Sequence, residues 1–165
     1  MEQNYVFMTD SDSDLPFHLK EQYNIPVVYM PYALDGKEYF DDLGQMLDHK
    51  SYFTAMRNGA VPVTSALNEA SYMDYFEPIL KEGKDLLFVA FSSKLSCTLQ
   101  AVYSAREKLL EEIREVPDPK VLGSSLAVGM ADFMPGKDES VFTVFTHADR
   151  MMYQQKSEMK KKLEA

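Results

Sequence analysis

Three short segments rich in hydroxyl groups offer the most chemistry in this chain: Thr9 to Ser13, Thr64-Ser65, and Ser92 to Thr98. Ser and Thr supply rotatable donors, and a helix start supplies backbone N–H groups that no helix carbonyl has taken. Together they can hold a carboxylate without a cation. An apolar slot beside them would suit a fatty acyl chain. A plainer reading fits the same residues: Ser96 caps a helix and Thr64-Ser65 turns a loop.

The acids offer less. Asp10-x-Asp12-x-Asp14 with Glu21 partly matches a calcium-loop spacing, but Leu15 stands where a Gly is needed and Pro16 starts a helix inside the loop. A strand followed by D-x-D is also similar to haloacid-dehalogenase phosphatases, in which paired Asp residues hold Mg²⁺. There Asp41-Asp42 would supply further acid, yet that class expects Thr or Val where Asp14 stands. His18, His49 and His147 lack ligand spacing. No metal and no cofactor is expected. Cys97 could act as a nucleophile at a helix start, but no histidine is near it in sequence, and a buried structural thiol is the expectation.

The elements that would position these groups read as strand, polar loop, helix, repeated. Tyr5 to Met8 is a short apolar run ending at Thr9-Asp10-Ser11. Pro16 suits the first turn of a helix reaching about Tyr23, with Ser13 or Asp14 as its cap. Val27 to Met30 reads as a second strand. Asp35-Gly36 is a hairpin signal between Tyr32-Ala33-Leu34 and Glu38-Tyr39-Phe40. Ser51 to Asn58 reads as a helix stopped by Gly59, Val63-Thr64-Ser65 as a loop, and Ala70 to Lys81 as a helix ended by Gly83. Leu86 to Phe91 is the strongest strand, and Ser96 to Arg114 a long helix. This grammar predicts an α/β fold with a mostly parallel sheet flanked by helices, whose ligands bind at the carboxyl ends of the strands. Val116-Pro117-Asp118-Pro119 marks a connector. Beyond it, Ser124 to Phe133 reads as a strand, Pro135-Gly136 as a turn, and Val141 to Lys162 as a long C-terminal helix. The expected division is a lobe over residues 1–116 and an appendage over 117–165.

Composition narrows the function classes. A formal net charge of −9 disfavours nucleic acid and anionic membrane surfaces. Lys160, Lys161 and Lys162 read as a solvated helix end. No apolar run approaches the roughly 18 residues of a membrane span, and a single cysteine suits a reducing compartment. A cytoplasmic protein without a membrane span is expected.

Four motifs in order sharpen the picture. Thr9-Asp10-Ser11 with Ser13-Asp14-Leu15-Pro16, the Asp35-Gly36-Lys37-Glu38-Tyr39 hairpin, Pro62-Val63-Thr64-Ser65, and Ser92-Ser93-Lys94-Leu95-Ser96-Cys97-Thr98 resemble the amino-terminal half of the DegV family of bacterial fatty-acid-binding proteins. The resemblance covers residues 4 to 114. It implies a lipid-binding module and no enzyme, with Thr64, Ser65, Ser93, Ser96 and Thr98 holding a fatty-acid carboxylate. It also implies an acyl-handling kinase as partner. A second lobe of that family is missing, so an exposed groove would favour a homo-oligomer. Two departures stand out: Ala66-Leu67-Asn68 follows Thr64-Ser65 where the family has Gln-Pro-Ser, and Cys97 replaces a Gly, with crowding of the head group as the expected result.

The end of the chain differs. Ser125 to Ala131, and Ala148-Asp149-x-x-Met152-Tyr153-x-x-Lys156, resemble the end of a GGDEF diguanylate cyclase domain, where Lys156 and Lys160 would face nucleotide phosphates. The GGDEF hairpin and the metal-holding carboxylates are absent, so no cyclase activity is expected. The alternative to lipid binding is therefore a non-catalytic regulatory or structural remnant that uses a degenerate GGDEF-like tail for association.

Overall fold

The computed structural model describes residues 5–91, 96–116, 121, 126–129, 150 and 154. The expected strand–loop–helix grammar is present. β1 (Tyr5–Asp10), β2 (Val27–Val28), β6 (Asp85–Val89) and β7 (Leu126–Gly129) form one sheet in the order β2-β1-β6-β7, with every neighbouring pair parallel. The β1–β6 pairing runs without a break from Tyr5↔Asp85 to Thr9↔Val89. It sets two polar loops, some eighty residues apart in sequence, side by side at the carboxyl edge. β7 follows the two-proline connector and completes the edge beside β6. The turn and long helix expected after it lie outside the described residues.

Two helices cover one face of this sheet. α3 (Glu69–Lys81) buries Tyr72, Phe76 and Leu80, four residues apart. α4 (Thr98–Arg114) buries Leu99, Val102, Ala105, Leu109 and Ile113. Each series lies on one stripe of a helix. Both pack on Met8, Leu86 and Phe88. Phe88 is fully buried, with ring centroids 5.1 Å from Phe76 and 6.0 Å from Tyr72. Asn68 caps α3 through Ser71 N–H, and Gly83, at φ 74°, takes the left-handed turn that ends it.

A second, antiparallel sheet has the order β4-β3-β5. β3 (Pro31–Leu34) and β4 (Lys37–Phe40) form the expected hairpin. Asp35 and Gly36, at φ 51° and 75°, are both left-handed, as a tight two-residue turn requires. Val63-Thr64, read from sequence as a loop, is instead the short strand β5, pairing Thr64 with Tyr32. Two residues are too few to show a period of two, and the pairing depends on a β3 edge thirty residues away.

Two helix starts also differ from expectation. α1 (Phe17–Tyr23) is capped by neither Ser13 nor Asp14; Pro16 stands at its N-cap. Ser11–Ser13 form a 3-10 turn, closed by Asp14 N–H donating to the Ser11 carbonyl at 3.0 Å with Asp14 at φ 52°. Leu15 precedes a proline, which disfavours helical backbone there and separates the two turns. α2 (His49–Arg57) begins earlier than expected because Asp48 accepts from Ser51 N–H at 3.0 Å. α1 has no buried residue, so its contribution to the core is small.

Among the described residues no helix is long and apolar enough to cross a membrane. The packing ranks the elements energetically. Phe88→Ala is expected to cost about 3–5 kcal/mol, whereas Asp48→Ala, which removes only a cap, should cost about 1 kcal/mol. Urea unfolding of both variants checks this; equal losses would place the core elsewhere.

Candidate functional site

The carboxyl edge of the parallel sheet is tied together by three consecutive polar side chains of β1 and the turn after it. Thr9 Oγ1 donates to the Val89 carbonyl at 2.9 Å, Asp10 Oδ2 accepts from Phe91 N–H at 2.9 Å, and Ser11 Oγ accepts from Met30 N–H at 3.1 Å. The ends of β1, β2 and β6 are thus locked to one another. All three side chains are buried.

Against this edge stands the start of α4. Thr98 is its first residue and is buried; the Ser96 and Thr98 hydroxyls lie 3.0 Å apart, and Thr98 N–H donates to Ser96 Oγ at 3.3 Å. The Thr98 side chain is in turn hydrogen-bonded to the Tyr72 hydroxyl, which also feels the charge of Asp10. Burial, helped by that charge, pushes the Tyr72 phenol up to about 12, so it remains a neutral donor. Asp10, Tyr72, Thr98 and Ser96 therefore form one polar cluster. Sequence reasoning missed Tyr72, which reads as a core residue of α3. Its one signal is a phenolic oxygen on a helix stripe otherwise filled by Phe76 and Leu80.

The remaining expected site residues fall on the second sheet. Thr64 ends β5, and Ser65 N–H donates to the Pro31 carbonyl at 3.0 Å. Both are exposed. Pro31 directly follows Met30, which Ser11 holds, so the Thr64-Ser65 and Ser96–Thr98 pairs flank the turn Ser11–Ser13. Ser93 lies outside the described residues.

Thr64 lines a cavity of about 190 Å³. Its walls are aromatic and apolar, with Met30, Tyr32, Phe40, Tyr52 and Phe53, and Tyr32 meets Tyr39 and Tyr52 at centroid distances of 5.4 and 5.5 Å. Asp12, Asp14, Asp41 and Asp42 also face it. Two of these acids have local work: Asp41 accepts from Leu43 N–H, and Asp42 from Gln45 and Met46 N–H. Burial, then the charges of Asp41 and Asp14, raises the Asp12 carboxyl above the ordinary range. Among the described residues no three His, Cys, Asp or Glu side chains converge as a metal site would require. Neither Ser96 nor Thr98 is among the cavity's described lining residues, so the geometry separates a hydroxyl cluster from an apolar chamber.

Cys97 is exposed, against the expectation of a buried thiol. It occupies the N-cap of α4, where the backbone leaves the core before the helix begins. Its φ of −87° shows that the conformation here does not require glycine.

Asp10 is the most strained group electrostatically. It is 1% exposed, and its Oδ1 has no hydrogen-bond partner among the described residues. Burial, only partly offset by the Phe91 N–H bond, raises its carboxyl from 3.8 to about 6. Because the folded value exceeds the unfolded one, the folded state binds the proton more tightly. Stability is then greatest below about pH 4 for this group and declines as Asp10 ionises through about pH 6. The shift corresponds to roughly 2–3 kcal/mol. Between about pH 4 and pH 8, Asp10→Asn should gain that much relative to wild type in urea unfolding; a pH-independent difference would refute the buried titration.

Comparisons with known proteins agree with this architecture. The family model described as "Uncharacterised protein, DegV family" matches residues 5–158. A DegV domain-containing protein of Clostridium perfringens is 31% identical over 151 residues, covering 87% of this chain and 52% of its own length. One from Caldanaerobacter subterraneus is 30% identical over 155 residues, covering 90% and 55%. The chain thus spans about half the length of these relatives. Among solved structures, a DegV family protein from Thermus thermophilus, reported for fatty acid binding, superposes with a TM-score of 0.59 at 22% identity, over 90% of this chain and 53% of its own. A stearic-acid-binding protein from Eubacterium ventriosum gives 0.60 at 20%, over 75% and 40%. At such identities the superpositions speak for the fold. The family match runs on to residue 158, through the segment expected to resemble a cyclase end, and nothing in the comparisons supports that second resemblance. On fold, motifs and family match together, this chain belongs to the DegV family.

Proposed function

We propose that this chain is a fatty-acid-binding module whose carboxyl head group is held between the Ser96–Thr98 and Thr64-Ser65 hydroxyls, with Ser93 as a further donor. The observation that carries the reading is the placement of the Ser96–Thr98 pair at the start of a 17-residue helix, on the edge that also bears the aromatic chamber. Hydroxyls and free N–H groups of the first turn accept a carboxyl group; Phe40, Tyr52 and Phe53 accept methylenes. The four acids facing the chamber disfavour a carboxylate there, which orients the ligand with its tail inward. The fatty acids named for the solved DegV relatives support the same ligand class.

The chamber is smaller than the roughly 300 Å³ at which sites for drug-sized ligands begin, so it covers only part of a long acyl chain. Each uncovered methylene forgoes about 0.8 kcal/mol. Phe40, Phe53, Val61 and Val63 are more than half exposed, and self-association would cover them. Binding without covalent chemistry, a cytoplasmic setting and delivery of the acyl group to a kinase partner extend this reading, as the family resemblance implies.

Titration of palmitate into the 165-residue chain tests it. Ser96→Ala should weaken binding about tenfold, the worth of one hydrogen bond to a charged group. Unchanged affinity in Ser96→Ala, or no palmitate binding at all, would overturn the site.

A further inference from the structure

The proposed head-group site contains an unusual neighbour for a carboxylate. Asp10 is buried at the same edge, linked through Tyr72 to Thr98 and Ser96, and its Oδ1 accepts from nothing among the described residues. The groups acting on it are Asp12 from the turn Ser11–Ser13, Tyr72 from α3 and the Phe91 N–H after β6. Two of these are an acid and a neutral phenol. No cation acts on Asp10 among the described residues, and the only base lining the chamber is His49. Lys94, in the segment outside the described residues, is the one cation of the Ser92-to-Thr98 motif.

A second carboxylate entering beside Asp10 would set two like charges in a poorly solvated place. Such pairs hold a proton between them rather than ionise together. Resting on the fatty-acid reading above, we infer that the acyl carboxyl group binds here with uptake of one proton, shared with Asp10, so that Asp10 makes the site selective for carboxylic acids in a pH-dependent way. The balance is simple: a carboxylate and ionised Asp10 take one H⁺ from buffer, one O–H bond forms, and one O–H···O hydrogen bond joins the two groups. The elevated proton affinity of Asp10 in the free protein agrees with this.

Calorimetry of palmitate binding in two buffers of different ionisation enthalpy reads the proton directly. Near pH 7.5, uptake close to one proton per palmitate is expected, with affinity falling about tenfold per pH unit above about pH 6. Asp10→Asn supplies a permanent amide donor. It should abolish the uptake, flatten the pH dependence and bind palmitate more tightly than wild type at about pH 8, whereas His49→Gln should retain the uptake. Hexadecanol, whose hydroxyl donates to ionised Asp10, should bind wild type without proton uptake. Palmitate binding with no proton uptake in the wild type would overturn the inference while leaving the fatty-acid reading intact. Binding of that kind abolished by Lys94→Met would assign neutralisation to the lysine instead. Uptake that persists in Asp10→Asn would also overturn it. Absence of palmitate binding at every pH would overturn the functional reading itself.

Discussion

The parallel pairing of β1 with β6 is the constraint on which the rest of this structure depends. Both strands are buried against α3 and α4 through Met8, Leu86 and Phe88, so their register is held by apolar packing as well as by the ladder. Once Thr9 faces Val89, the turn after β1 and the segment after β6 must meet. The Asp10 carboxylate then finds Phe91 N–H, and α4 must start beside β1. The hydroxyl cluster is a consequence of that register rather than of local sequence.

Placing a carboxylate at this junction has an energetic cost that the fold bears openly. Asp10 bridges two strand ends with one oxygen and leaves the other without a partner. A structural tie alone could be made by an amide at lower electrostatic cost. An acid retained at the edge where ligands of parallel sheets bind is a functional feature by its position, because such edges collect backbone donors and loops from several strands. The acidic cast of the neighbouring chamber reinforces the point: the walls favour apolar atoms, and charge is confined to its turns.

The second sheet serves the first by extension. Ser11 holds Met30, Met30 leads into β3, and β3 carries both the hairpin and β5. Thr64 reaches the site through this chain of backbone contacts. The chamber between the turn Ser11–Ser13, the hairpin and α2 is therefore bounded by short, weakly buried elements. Its aromatic residues are half-exposed or exposed, in contrast to the closed core under α3 and α4.

Periodicity and turn chemistry by themselves determined the α/β grammar, the Asp35-Gly36 hairpin, the Gly59 and Gly83 helix stops and the apolar stripes of α3 and α4, because each depends on neighbours within a few residues. The four motifs likewise marked the family. Short-range signals failed where tertiary contacts decide. Val63-Thr64 became a strand only because the β3 edge was free to receive it, and Pro16 overrode the caps expected at Ser13 and Asp14. Cys97 stayed exposed because α4 turns into the core only at Thr98. Which hydroxyls share a site was also beyond the sequence: Ser96 and Thr98 join Tyr72 and Asp10, while Thr64 faces the acidic chamber. That sorting follows from strand register and helix placement, which bring together residues far apart in the chain, and no local pattern encodes such a juxtaposition.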